Sequence, residues 1–324
     1  MRLLRLAAVF ITALAGVMQA AAQSYPSRPI TLVVPFSAGG PTDTVARILA
    51  ERMRVSLSQT VVVENATGAA GTIGVGRVVR SAPDGYTVSI GHWSTHVVNG
   101  AIYTLPYDLL TDLEPVALLP ANPQLIVTKT AVPAKDLAEL IAWIKQNQEK
   151  MSAGTAGAGS ASHVAGVYFQ QKTQTRFPFV PYRGTGPAMQ DLVAGQIDLM
   201  FDQSTNSLPQ VRNQKIKAYA VTAPKRLPSA PDIPTVDEAG LPGFYISVWH
   251  GLWVPKGTPK EIIARLSAAA MEALADPHVR QRLADLGQEI PPPEQQTPEA
   301  LAAHHKAEIA KWWPIIRAAG IKAE

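Results

Sequence analysis

The chain has no cysteine among its 324 residues. Disulfides and thiolate metal sites are thereby excluded, and the core must hold together unaided. A lipid anchor through a lipobox cysteine is excluded as well. Long apolar runs are equally scarce, and beyond the N-terminus no segment is long and apolar enough to cross a bilayer. An excess of one charge is missing too. Without Arg2 and Arg5, 27 basic residues stand against 25 acidic ones, a net +2. With no block of like charge and no basic-aromatic stripe, a nucleic-acid partner is not expected. No Lys follows Gly39-Gly40, which excludes a nucleotide P-loop, and a Gly-x-Ser-x-Gly elbow is absent around Ser160.

What is present begins with a leader. Arg2 and Arg5 precede an apolar stretch from Leu6 to Val17, and Ala20-Ala21-Ala22 closes it. This pattern reads as a signal peptide over residues 1–22, cut before Gln23; the apolar stretch is too short for a comfortable span. The exported product is expected to be soluble and to diffuse freely in the periplasm. Roughly 300 remaining residues suffice for one large or two medium α/β domains.

The mature sequence alternates strand-like and helix-like segments, which argues for an α/β fold with mainly parallel sheets. Ile30 to Val34, Thr60 to Glu64 and Tyr86 to Ile90 read as strands, with Pro115 to Leu119 and Leu125 to Thr128 as two more. Leu137, Leu140, Ile141 and Ile144 mark an amphipathic helix. A second glycine loop, Gly154 to Ser160, leads into a helix near Ser162 and His163. Phe177 to Val180, Ile197 to Phe201, Lys217 to Thr222 and Ser247 to Val254 supply further strands. A helix is expected from Pro187 to Ala194, and the proline-dense stretch from Pro224 to Pro242 reads as a connection with at most one short helix around Val236 to Ala239. Helices opened by prolines then run from Pro259 to Ala275, Pro277 to Leu286 and Pro298 to Ala319.

Chemistry concentrates where strands end. After Val34, the glycines of Ala38-Gly39-Gly40-Pro41-Thr42-Asp43 permit a sharp turn, and Pro41 suits the first helical position. Such a turn points free N–H groups of a helix N-terminus at open space, where a small anion such as a carboxylate is favoured. Ligands of open α/β sheets lie beyond the carboxyl ends of strands. The unusual polar segments fall there: Phe36 to Asp43, His92 to His96, Gly154 to His163, Tyr182 to Thr185 and Asp202 to Thr205.

These segments, in order, resemble the Bug family of periplasmic solute-binding receptors, which includes the TctC receptors of tripartite tricarboxylate transporters. The resemblance is carried by Pro35-Phe36 with Gly39-Gly40 and Asp43, Val63-Glu64-Asn65 with Gly68 and Gly71, and Pro83-Asp84-Gly85-Tyr86-Thr87. It continues through Gly157, Gly159, Ser160 and His163, then Tyr182-Arg183-Gly184, Gly195-Gln196-Ile197-Asp198, Leu252-Trp253-Val254-Pro255 and Gly257-Thr258-Pro259. It implies a two-lobed Venus flytrap, each lobe a mixed, mainly parallel sheet flanked by helices, with two crossover strands at the hinge. Lobe one would comprise residues 24–126 plus 247–324, and lobe two residues 127–246. It further implies a receptor that is not an enzyme, needs no cofactor, and binds a small carboxylate through backbone amides and hydroxyls. Delivery would be to membrane transporter subunits or to a sensor kinase, and a monomer is expected.

On the residues, amides from Ala38 to Thr42 can accept a carboxylate, with Ser94, Thr95, Thr155, Gly157 and Ser160 as further donors. Tyr182, Gly184, Thr185 and Asp202 complete the expected site, with Phe36 as a wall. Asp43 has two readings, helix cap or contact with a ligand ammonium, and His163 is either a pocket donor or a packing residue. Trp93 leans towards a pocket wall and Arg183 towards the surface or hinge. Ser160 and His163 lack an orienting acid for hydrolysis. His92 and His96 lack the neighbouring carboxylate or cysteine of a metal site. His304-His305 and Trp312-Trp313 read as helix surface and core.

Overall fold

The computed structural model describes residues 25–318 and 320–322, so the signal peptide expected over residues 1–22 lies outside the described residues. The apolar run Ile30–Val34 is β1, and it pairs in parallel with β2 (Val61–Asn65) and β3 (Thr87–His92). Between them lie the helices α1 (Pro41–Leu57) and α2 (Thr72–Val79). The amphipathic spacing of α1 buries Val45, Ile48, Leu49 and Met53, and these meet Ile90, Leu252 and Leu266 in one core.

The strand β4 (Leu113–Lys129) spans 17 residues where the sequence predicts two shorter strands. Its first part, to Pro123, pairs antiparallel with β9 (Ser247–Pro255). From Gln124 onwards it pairs instead with β7 (Leu199–Gln203) and β8 (Ile216–Val221). Prolines 115, 120 and 123 suggest a break, because proline cannot donate to a ladder. The strand continues through register shifts between Pro115 and Ala117 and between Leu119 and Ala121, and the second shift passes over Pro120.

In the second half β5 (Ala153–Thr155) pairs in parallel with β6 (Phe179–Pro181) and with β7. Parallel pairing thus holds on either flank, while every pairing that involves β4 or β9 is antiparallel. The helices here are α3 (Leu137–Gln146), α4 (Ala161–Thr173), α5 (Thr185–Val193) and α6 (Ser204–Arg212). The last is not among the helices expected from the sequence, and its Ser204-Thr205-Asn206-Ser207 start and internal Pro209 are weak helix formers. Burial of Leu208 and Ser207 against the sheet overrides that weak local preference. Conversely, Val236 to Ala239 forms turns rather than a helix, and Thr235 makes an isolated bridge to Val221.

The chain ends in α7 (Lys260–Ala275), α8 (Pro277–Asp285) and α9 (Pro298–Ala318). Another apolar cluster passes from Trp93 and Trp253 to Phe169 and Phe201 and so joins the two halves. Among the described residues no helix is long and apolar enough to cross a membrane.

Candidate ligand-binding site

The turn after β1 is fixed by Asp43. Its Oδ2 accepts from the Gly39 N–H at 2.9 Å and from Arg47 Nε at 2.8 Å, and its Oδ1 accepts from Asn65 Nδ2 at 2.9 Å. Asn65 also donates to the Phe36 carbonyl. Gly39 takes φ +77°, which turns its N–H towards Asp43. Burial opposes the charge on Asp43, but the bonds from Arg47, Gly39 and Asn65 outweigh it and hold the carboxyl below its usual range. Of the amides expected to hold an anion, Gly39's is therefore directed at Asp43, and the exposed Ala38 and Gly39 stand outside the cavity. Gly40 and Thr42 line it.

That inner cavity is small, about 20 Å³, and four helices begin on it. Gly40, Pro41 and Thr42 open α1, while Ser160, Ala161 and Ser162 open α4; Thr185 opens α5 and Gln203 precedes α6. Each helix N-terminus carries unpaired N–H groups and roughly half a positive charge, so their convergence favours an anion. The Ser160 hydroxyl accepts from the His163 N–H at 3.3 Å and so caps α4. Asp202 and Gln124 form another part of the wall.

Past Phe36 and Ala156 the inner cavity adjoins an outer chamber of about 810 Å³. Thr155, Gly157, His163 and Tyr182 line it from one side, and Tyr103 and the Gly68 to Gly71 loop from the other. His163 Nδ1 accepts from the Gly159 N–H at 3.2 Å, and its ring packs edge-on against Phe179. The Tyr182 hydroxyl donates to Asp191 at 2.6 Å, and with burial foremost this pushes its pKa up to about 12. The two halves touch across the cleft. The Ser37 N–H donates to the Arg183 carbonyl at 3.2 Å, and the Tyr103 hydroxyl donates to the Ala158 carbonyl at 2.6 Å. Gly184 sits against Ser37 without lining either cavity.

Ser94 and Thr95 are not on the wall. A π-helical turn, Ser94–Val98, starts directly after β3 and folds them beneath it. Ser94 donates from its N–H to His92 Nδ1 at 3.1 Å, and Thr95 Oγ1 accepts from the His92 N–H at 3.0 Å. They support His92, which does line the inner cavity and stacks on Phe36 at 4.8 Å. Trp93, expected at the wall, is core: it is fully buried and meets Trp312 edge-on at 4.8 Å. The strand's last residue takes the wall position, and the helical turn carries the next ones inward.

His92 and His96 do not converge on a common point. His92 faces Phe36 and His250, while His96 stacks on Trp253 at 3.7 Å. Among the described residues no three His, Cys, Asp or Glu side chains group as a metal site requires. His250 Nδ1 donates to the Pro120 carbonyl at 3.0 Å, and His305 Nε2 to the His96 carbonyl at 2.6 Å. Burial lowers both pKa values to about 4. His305 is thus a core residue, against the surface position expected of its helix face.

Of the wall residues, His92, Ser162 and Gln203 lie within the strand-end segments the sequence marks but were not singled out there, while Gln124 and the Gly68 to Gly71 loop were not expected on the wall. A signal existed for His92 and Gly68, which lie at strand ends. None existed for Gln124, in the middle of β4.

Residues 45–321 match the family described as "Tripartite tricarboxylate transporter family receptor". A protein from the TAR-I ttuE-ttuC' intergenic region of Agrobacterium vitis is 42% identical over 317 residues, covering 98% of this chain and 92% of its own length. The solved structure of the periplasmic binding protein BugD is 43% identical with a TM-score of 0.90, covering 93% of this chain and 100% of that one. MatC from Rhodopseudomonas palustris, solved with bound malate, is also 43% identical, with a TM-score of 0.87 and coverage of 90% and 100%. The chain belongs to the tripartite tricarboxylate transporter family of receptors, as a two-domain solute-binding protein of the Bug and TctC kind rather than an enzyme.

Proposed function

We propose that this receptor captures a small organic carboxylate between its two lobes in the periplasm and delivers it to the membrane subunits of a tripartite tricarboxylate-type transporter. The observation that carries this reading is the convergence of four helix N-termini on one buried cavity without a lysine or arginine on its wall. In that setting a carboxylate is held by backbone N–H groups and hydroxyls, as charge-assisted hydrogen bonds strengthened by exclusion of water. MatC's bound malate supports the ligand class. We assign Gly40, Thr42, Ser160 and Thr185 to the carboxylate, and Phe36, Thr155, Gly157, His163 and Tyr182 to the walls around the rest of the ligand. Asp43, Ser94 and Thr95 act behind them, holding the first loop and His92.

We take the change of partners along β4 and the start of β9 as the hinge, which divides the chain near residues 123–126 and 246–247. Residues 1–22 serve as the export signal, and the receptor acts as a monomer. A thermal-shift screen of di- and tricarboxylates, acidic amino acids and aromatic acids on residues 23–324 tests this. A ligand at 100 times its Kd adds about 2.7 kcal/mol to folded stability, which is a rise of several degrees. A shift with a sugar or an amine and with none of the acids contradicts the proposal.

A further inference from the structure

Asp202, the last residue but one of β7, lies on the wall of the inner cavity and is 1% exposed. Its two oxygens are unlike. Oδ2 accepts from Asn206 Nδ2 at 2.7 Å and from Ser207 Oγ at 2.9 Å, both in the first turn of α6. Oδ1 is buried and has no hydrogen-bond partner among the described residues. Against the burial that raises its pKa, the Thr185 hydroxyl and the Gln203 N–H lie near enough to the carboxylate to favour its charged form. Two further acceptors on the same wall, Gln124 Oε1 and Gln203 Oε1, are also buried without a partner. Buried acceptors of this kind are costly unless something donates to them. Burial raises the Asp202 pKa to about 6, so the group is mainly ionised, and acceptor-only, at neutral pH.

A plain carboxylate seated on the four helix ends satisfies none of these oxygens and is repelled by Asp202. An acid with an ammonium on the neighbouring carbon answers both problems, and one with a hydroxyl there gives Asp202 a donor that offsets part of the repulsion. The carboxylate of either meets the helix N-termini while the substituent donates to Asp202. At about 20 Å³ the inner cavity admits about one water-sized group as it stands, so the lobes part slightly to seat the charged end and its substituent, while the rest of the molecule extends past Phe36 and Ala156 into the outer chamber.

We propose that Asp202, with Gln124 and Gln203, is an acceptor subsite that makes the receptor select 2-hydroxy or 2-amino acids over unsubstituted acids. This rests on the carboxylate reading above. The shared chemistry is a donor beside a carboxylate, and the probes separate its two forms.

The test is calorimetric titration of matched sets: succinate, malate and aspartate; glutarate, 2-hydroxyglutarate and glutamate; and phenylacetate, mandelate and phenylglycine. At pH 7.5 the wild type is expected to bind the hydroxy or amino member of at least one set tenfold or more tighter than its unsubstituted parent. Asp202→Asn, which keeps the shape and loses the charge, is expected to reduce that ratio to within threefold. Parents binding as tightly as their substituted partners in the wild type overturn the inference alone, leaving the carboxylate reading intact. So does an unchanged ratio in a folded Asp202→Asn. The wild-type comparison decides the matter by itself if the variant does not fold. No binding by any acid overturns both readings.

Discussion

Asp43 shows how a single carboxylate can shape an anion site without belonging to its wall. Both its oxygens are engaged by Arg47, Asn65 and the Gly39 amide, so its charge is neutralised locally and the loop before α1 is pinned. Arg47 lies four residues on, a spacing at which helical side chains meet, whereas Asn65 arrives from β2 with no local signal. The same limit explains Ser94 and Thr95. Their hydroxyls advertise a donor role, but a helical turn after β3 decides which way they face, and nothing local in the sequence announces that turn. The buried histidines carry a prediction at this scale. His250 and His305 titrate near 4 when folded and burial holds His92 and His96 well below normal, against about 6.5 for an unfolded histidine. The unfolded chain therefore binds more protons between pH 6.5 and 4, and stability is lost as pH falls through that window. Every tenfold loss of proton affinity on folding corresponds to about 1.4 kcal/mol. Asp202, raised to about 6, acts in the opposite sense over part of the range, since its contribution is lost as pH rises. Four histidines outweigh one aspartate, so the urea midpoint at pH 5 should fall clearly below that at pH 7. An equal or higher midpoint at pH 5 would mean that burial does not hold these histidines neutral.

Among elements, β4 matters most for the site, because one strand belongs to two sets of neighbours. Alternation and apolar content made both of its parts visible in the sequence, but their continuity depended on register shifts that absorb prolines. α6 was hidden for a related reason: its polar first turn serves Asp202 rather than solvent. Most other elements, including β1, α1, α3 and the proline-opened C-terminal helices, were readable from periodicity and caps alone. The loop before α5 carries a prediction about closure. A Cβ on Gly184 would lie 2.2 Å from Ser37 Oγ and 2.9 Å from the Ser37 backbone nitrogen, across the cleft. The backbone at Gly184 is extended (φ 163°), so any residue can adopt it and the conflict is purely between lobes. Gly184→Ala should therefore leave the melting temperature of the unliganded protein nearly unchanged while weakening a bound acid at least tenfold, because the ligand then has to stabilise a strained closed state. Wild-type affinity, read by calorimetry, would show that these surfaces do not meet in the liganded receptor.

At the scale of the whole molecule, the two-lobed arrangement places groups distant in sequence around one point. The N-termini of α1, α4, α5 and α6 come from residues 41, 161, 185 and 204, and only the hinge strands bring them together. This is why the ordered glycine loops told of a cleft, while the part of its inner wall formed by Gln124 emerged only from the fold. A wide outer chamber beside a tight polar recess suits a ligand with one compact charged end and a variable body. Everything proposed for this receptor depends on that charged end sitting on the converging helix N-termini. The decisive measurement is a crystal structure of the receptor with the acid that gives the largest thermal shift. We predict carboxylate oxygens within hydrogen-bond distance of the Thr42 N–H or hydroxyl and of the Ser160 or Ser162 hydroxyl. A carboxylate held instead in the outer chamber by the Arg183 side chain, with no contact to the helix ends, would contradict the proposed site.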